Sequence, residues 1–159
     1  MNTFRGMTIL ETTSEVEGLV RDTLAAHQSF FLATNGDEGP WVNGAYFAET
    51  GLFTLSLVLE QRGRTLAAIR RNPLVSVIIS TGSPAEPFLQ AQATARVVTG
   101  AEADEVRRVL LTKVPQAEPF LGTPIEAVQL KVSAWRATDI PNGWLPGREL
   151  VDVPGARSV

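Results

Sequence analysis

From Phe30 to Ser80 the chain reads FFLATNGDEGPWVNGAYFAETGLFTLSLVLEQRGRTLAAIRRNPLVSVIIS, a series of strand-length apolar blocks cut by turn residues. Most of the cuts are too short to hold a crossover helix, so consecutive strands must run antiparallel. Asn35-Gly36 supplies the positive backbone angles that a hairpin turn needs, and Glu49-Thr50-Gly51 turns the chain again. In LFTLSLVL, Phe53, Leu55 and Leu57 share one face, while Thr54, Ser56 and Val58 share the other. Thr65–Arg71 has the pattern of a short helix, and Asn72-Pro73 ends it because proline disfavours helical geometry in the residue before it. LVSVIIS is nearly continuous in apolar residues, as suits a strand buried on both faces. The isolated glycine of Asn43-Gly44 marks either a β-bulge or a backbone that a ligand approaches closely.

The flanking segments complete the same pattern. Ser14–Glu17 has capping-box form, and Val16, Leu19, Val20 and Leu24 recur at helical spacing, so a helix over 13–27 is expected to cover an open end of the sheet. TGSPAEP is loop, after which FLQAQATARVVT alternates, with Leu89, Ala91, Ala93, Ala95 and Val97 opposite Gln90, Gln92, Thr94 and Arg96. Thr99–Glu102 repeats the capping-box form and opens a helix carrying Val106, Val109 and Leu110 on one side, which ends before Pro115. PQAEPFLGTP reads as loop, and AVQLKVSAWRAT as a last long strand with Val128, Leu130, Val132 and Ala134 opposite Gln129, Lys131, Ser133 and Trp135. Six strands with interspersed short helices make a mainly β fold, an antiparallel barrel with helical decoration. One domain over 1–159 is expected, with 1–28 as an N-terminal helix region and 140–159 as a C-terminal tail.

Much chemistry is excluded. With no cysteine and one histidine among 159 residues, there is neither a disulfide framework nor a thiol nucleophile, and a transition-metal site would rest on carboxylates alone. His27 closes the first helix, where a partial positive charge suits the helix dipole. Neither G-x-x-x-x-G-K-[ST] nor G-x-G-x-x-G occurs, and no nucleophile elbow accompanies the histidine. A formal charge of −3 argues against broad nucleic-acid binding. The start, MNTFRGMTILETTSEVEGL, is not a signal peptide, and no run approaches a membrane span, so a cytoplasmic protein is expected. What remains is the turn Gln61-Arg62-Gly63-Arg64-Thr65, where two guanidiniums beside a hydroxyl and a helix N-terminus can hold a phosphate or simply face solvent.

The order FLATNGDEGP at Phe31–Pro40, GLFTLSL at Gly51–Leu57 and RTLAAIRRNPLVSV at Arg64–Val77 resembles the flavin-binding split-barrel proteins related to pyridoxamine 5'-phosphate oxidase, over about residues 25–100. The resemblance implies a six-stranded antiparallel split β-barrel of FMN-binding type, forming a homodimer with the cofactor at the interface. It places the flavin ring against backbone at Val42, Asn43, Gly44 and Ala45 and at Leu55, Ser56 and Leu57, with the phosphate on Arg62, Arg64 and Thr65. Where many members have a serine-basic-lysine run, this chain has Gly63, Arg64 and Thr65, so the lysine is missing. Gln90, Gln92, Trp144 and Arg148 resemble the polar and aromatic groups that members bring near the flavin, often from the second subunit. The chain lacks the arginine-histidine ending by which true pyridoxamine phosphate oxidases hold their substrate, so that particular reaction is not expected. The function implied is a flavin-dependent oxidoreductase acting on a small molecule, with no catalytic acid or base identified. The alternatives are a deazaflavin-dependent reductase, a non-enzymatic protein that binds flavin or haem, and a dimeric interaction module.

Overall fold

The computed structural model describes the backbone of residues 2–153 and the side chains from residue 13 onward. In chain order the elements are α1 (Asn2–Ala26), β1 (Ser29–Gly36), β2 (Gly39–Tyr46), β3 (Ala48–Thr50), β4 (Thr54–Glu60), α2 (Arg64–Arg71), β5 (Leu74–Ile79) and β6 (Phe88–Val98). There follow α3 (Gly100–Lys113), a 3-10 turn (Pro115–Ala117), α4 (Glu118–Leu121), β7 (Ile125–Val132), β8 (Ala134–Asp139), a second 3-10 turn (Ile140–Asn142) and β9 (Trp144–Val151).

All nine strands join one antiparallel sheet in the order β2-β1-β5-β6-β7-β4-β3, with β8 also paired to β6 and β9 paired to β8. The two ends of that path, β2 and β3, are consecutive in the chain and separated by Phe47 alone. Phe47 is fully buried, packs edge-on against Phe30 with ring centroids 5.3 Å apart, and donates its N–H to the Gln28 carbonyl at 3.0 Å. The sheet therefore curls until its edges meet at one residue. The result is a split barrel, with nine strands instead of the expected six because β3 and β9 are added and the last long strand divides.

That division has a countable cause. Ala93 pairs with Val132 while Gln90 pairs with Arg136, so three steps along β6 correspond to four along β7 and β8. The extra residue is a β-bulge, which reverses the alternation that follows it. Trp135, expected opposite Val132, instead turns into the core with no exposure and donates its indole N–H to the Leu52 carbonyl at 2.6 Å.

Other expectations shift as well. The hairpin between β1 and β2 turns at Asp37-Glu38, and its positive φ, 91°, belongs to Gly39. Gly36 still needs to be glycine, because a Cβ there would lie 2.7 Å from the Ala68 backbone of α2. The pairing of β1 with β2 runs without a break from Ser29–Tyr46 to Gly36–Gly39, so Asn43-Gly44 is not a bulge. In β5 only Val75, Val77 and Ile79 face the core, while Leu74 is 53% exposed, so that strand is buried on one face and not on both.

Helix α1 extends well before residue 13, which places Ser14–Glu17 inside it, where Glu17 pairs with Arg21 at 2.9 Å instead of capping. Val16, Val20 and Leu24 cover the end of the barrel near β8 and β9, as their spacing implies. Helix α3 starts after Thr99 without a side-chain cap, because the Glu102 carboxylate is taken by Arg96 at 2.6 Å. Beyond it the expected loop at PQAEPFLGTP is a 3-10 turn followed by α4, each with proline in its first turn, where a missing N–H costs nothing. The expected tail after residue 140 supplies β9.

Lys113, in the last turn of α3, ties three elements together. Its Nζ donates to the Leu24 carbonyl of α1 at 2.7 Å and to Glu49 of β3 at 2.5 Å, and lies 4.0 Å from the centre of the Phe47 ring. Burial pulls the Lys113 ammonium below the usual lysine range, with the hydrogen bond and charge of Glu49 opposing the shift.

Two outcomes follow from this packing. Gly36→Ala destabilises the fold by about 2 kcal/mol, because two backbones must separate to admit one methyl group; urea denaturation measures it. Lys113→Met also costs about 2 kcal/mol, since it leaves Glu49 largely buried without its cation, and adding Glu49→Leu restores most of the loss. Because the folded-state pKa of Lys113 lies below its unfolded value, the unfolded chain holds this proton to higher pH. The Lys113 term thus favours the folded state increasingly as pH rises through that window toward the ordinary lysine value, a slope that Lys113→Met removes.

Candidate functional site

Ladder pairing leaves one place in the barrel where main chain is open on an apolar space. β3 covers β4 only as far as Ser56, so among the described residues the edge of β4 at Val58–Glu60 has no strand on that side. Across the gap, β2 pairs only with β1, which leaves alternate N–H and C=O groups between Asn43 and Tyr46 without a ladder partner among the described residues. The slot between these edges has a volume of about 460 Å³. Its outer wall comes from Leu110 of α3 with Ala117 and Phe120 of the following turns, and Phe120 lies edge-on to Tyr46 at 6.0 Å. At Gly44 an added Cβ would make ordinary contact with the Phe31 ring, at 3.8 Å.

Glu60 stands at the slot and also opens the basic turn. Its carboxylate accepts the Arg62 backbone N–H at 2.8 Å and the Arg62 Nε at 3.1 Å. Helix α2 then begins after Gly63, which offers no side-chain cap. Arg64 binds the Glu38 carboxylate at 3.2 Å and the Glu38 carbonyl at 3.0 Å, and stacks 4.2 Å from the Trp41 ring centre. Arg71 pairs with Asp37 at 3.2 Å. Asp37, Glu38 and the three arginines line a cleft of about 410 Å³. Its donors fit a phosphate, since an uncapped helix start lies beside two guanidiniums. Its charge is balanced, because each of the three arginines already faces a carboxylate, so an incoming anion must displace Glu60 or Glu38.

A third region, of about 580 Å³, lies on the outer face of β1, β5, β6 and β8 and includes Val42, Ser76, Gln90, Gln92 and Arg136. Phe31 and Val42 are 51% and 62% exposed on this face.

The residues singled out from the sequence thus fall into separate places. Asn43, Gly44 and Ala45 line the slot. Arg62 and Arg64 line the turn, whereas Thr65 is buried beneath it. Val42, Gln90 and Gln92 share the outer face. Leu55, Ser56 and Leu57 are buried, with Leu55 and Leu57 in the core, and their strand is paired on both sides as far as Ser56. Trp144 packs on the core, while Arg148 stacks over it at 4.2 Å and pairs with Glu15 at 3.5 Å, and neither lines any of the three openings. Sequence reasoning missed the rest of the slot lining, Ala117 and Phe120 of the turns after α3 among it. The available signal was Pro115 and Pro119, each opening a helical turn.

Comparison with known proteins agrees with this architecture. The family model described as pyridoxamine 5'-phosphate oxidase matches residues 16–138, and the chain belongs to that family. No curated protein sequence matches it significantly. Among solved structures, a haem binding protein from Mycobacterium smegmatis superposes with a TM-score of 0.72 at 18% identity, covering 85% of this chain. The chain spans only 57% of that protein's length. A Listeria innocua protein assigned as a pyridoxamine 5'-phosphate oxidase gives 0.65 at 21% identity, covering 78% of this chain and 98% of its own. A FAD-binding protein from Mesorhizobium loti gives 0.60 at 16% identity, covering 74% and 87%. These likenesses establish the fold. Among the described residues, no helix is long and apolar enough to cross a membrane.

Proposed function

We propose that this protein is a homodimeric, FMN-binding oxidoreductase that works on a small organic molecule. The observation that carries the reading is the open edge of β2, which faces an apolar slot and lies near an uncapped helix start flanked by arginines. A flavin is a flat ring with hydrogen-bonding groups on its rim and a phosphate at the end of a chain, and each part has a counterpart here. The free N–H and C=O groups between Asn43 and Tyr46 orient the rim, and Gly44 lets the ring approach. Arg62 and Arg64 hold the phosphate when it replaces the carboxylates of Glu60 and Glu38. Bound flavin supplies the redox chemistry, and the protein's part is to bind it, orient it and keep water from the slot.

The outer face supports the dimer. Phe31, Val42 and Leu74 are each more than half exposed on neighbouring strands, an apolar patch that a second copy covers. Gln90 and Gln92, on the same face, are then positioned to reach the partner's flavin. The reading does not extend to pyridoxamine 5'-phosphate as substrate, because among the described residues no lysine, arginine or histidine lines the slot.

Haem is the second reading, since the Mycobacterium smegmatis protein of the same fold is a haem binding protein. Of the side chains known as axial ligands, only Tyr46 lines the slot among the described residues, so a haem held there would be ligated by that residue.

The absorbance spectrum of the purified protein, before and after adding FMN or haemin, decides between them. A flavin spectrum is expected, and a haem band abolished by Tyr46→Phe would replace the flavin reading. Arg62→Ala with Arg64→Ala is expected to weaken FMN binding by at least about tenfold, as the loss of two charge-assisted contacts implies; unchanged affinity would overturn the phosphate assignment. Phe31→Glu is expected to give a monomer in sedimentation velocity, and a variant that remains dimeric would remove the outer face from the interface.

A further inference from the structure

We infer that Glu38 and Glu60 decide which anions the basic turn accepts. Held on the arginines as tethered carboxylates, they exclude inorganic phosphate and small phosphate esters and reserve the turn for a ligand that also fills the slot. The inference deepens the flavin reading and rests on it only in naming that two-part ligand.

The carboxylate of Glu60 already occupies the place of an anion. Its Oε2 accepts the Arg62 backbone N–H at 2.8 Å, and its Oε1 accepts from the Arg62 Nε at 3.1 Å. The Glu60 carbonyl takes the Gly63 N–H at 3.1 Å. Oε2 also reaches toward the start of α2, lying 3.7 Å from the position of a Cβ on Gly63. Glu38 holds the second guanidinium twice: its carboxylate lies 3.2 Å from the Arg64 Nε, and its carbonyl accepts from the same side chain at 3.0 Å. Although Glu38 is distant from Arg64 in sequence, the hairpin tip that carries it is fixed on α2. The Asn72 amide donates to the Asn35 carbonyl at 3.2 Å, and Arg71 pairs with Asp37.

An exposed ion pair contributes little by itself, and the Arg62 side chain is 82% exposed. The tether is what raises the threshold. A carboxylate fixed close to its arginine competes at an effective concentration on the order of millimolar. Once displaced, it stays beside the incoming anion and repels it. Inorganic phosphate gains only the guanidiniums and the first N–H groups of α2 in return. The flavin proposed above gains more, because Glu60 also lines the slot and burial of the ring there accompanies the exchange.

The test titrates inorganic phosphate into the full chain at low ionic strength and follows the backbone amides of Arg64, Thr65 and Leu66 by heteronuclear NMR. Glu38→Gln with Glu60→Gln is expected to bind phosphate at least about tenfold more tightly than the unsubstituted protein. Glutamine keeps an oxygen for the Arg62 N–H, and the carbonyl of residue 38 is untouched, so both arginines stay in place. Adding Arg62→Ala and Arg64→Ala is expected to abolish the gain. Glu102→Gln, which frees Arg96 outside the cleft, is expected to leave phosphate binding unchanged. No gain in the double variant, a gain that survives loss of both arginines, or an equal gain from Glu102→Gln overturns the inference. FMN is titrated separately by quenching of its fluorescence, and bound FMN no tighter than phosphate overturns the inference as well. If FMN fails to bind at all while the double variant gains phosphate, the flavin reading falls and the role of the two carboxylates stands; if FMN binds and the gain is absent, this inference falls alone.

Discussion

Phe47 is where the two ends of the sheet are joined. The residue before it belongs to β2, at one end of the strand order, and the residue after it belongs to β3, at the other. A side chain of that size buried without exposure contributes about 2–3 kcal/mol. The larger effect is geometric. Fixing Phe47 against Phe30 and under the Lys113 ammonium holds the edges of β2 and β4 near each other without letting them pair. β3 is only three residues long and stops covering β4 at Ser56. From that point the edges diverge, and the slot is the space between them.

The curling of the sheet and the location of its opening are therefore consequences of local sequence, yet they were unequally legible in it. Strands with period-two alternation, such as β4 and β6, could be read with their faces assigned correctly, because burial on one side leaves a pattern in the residues themselves. The short helix from Arg64 was legible from its proline-terminated end. The bulge near Ser133 was not, because one added residue carries no composition of its own and is visible only when β6 and β7 are counted against each other. Trp135 was assigned to the wrong face for that reason. The hairpin turn was displaced by two residues because Asn35-Gly36 and Glu38-Gly39 both have turn chemistry. The choice was made by α2, whose Ala68 backbone needs Gly36 without a side chain.

The candidate site divides along the same line. Its backbone half, Asn43 to Ala45, was marked by an isolated glycine in an apolar strand. Its side-chain half came from a segment that reads as loop because Pro115, Pro119 and Gly122 punctuate it, although two of these open helical turns and bring Ala117 and Phe120 over the slot. The arginines of the turn were visible, and their partners were not. Asp37, Glu38 and Glu60 lie close enough in sequence to be noticed, but only the hairpin and the end of β4 bring all three carboxylates to the three guanidiniums.

A site built on main chain explains how one fold serves proteins that bind different groups. Strand edges present the same N–H and C=O groups whatever the side chains are, so the barrel can keep its opening while the lining changes. In this chain the basic turn is held close to neutrality in two ways. Thr65 is buried where a lysine could have reached an anion, and each arginine of the turn already holds a carboxylate. Binding a phosphate there is an exchange of one anion for another, so its free energy depends on the difference between a dianion and a carboxylate on the same guanidinium, and not on the full attraction of a bare cation. For the flavin proposed here, that exchange would lower the affinity for its charged end and leave the apolar contacts along β2 and Phe120 to supply a greater share of the binding.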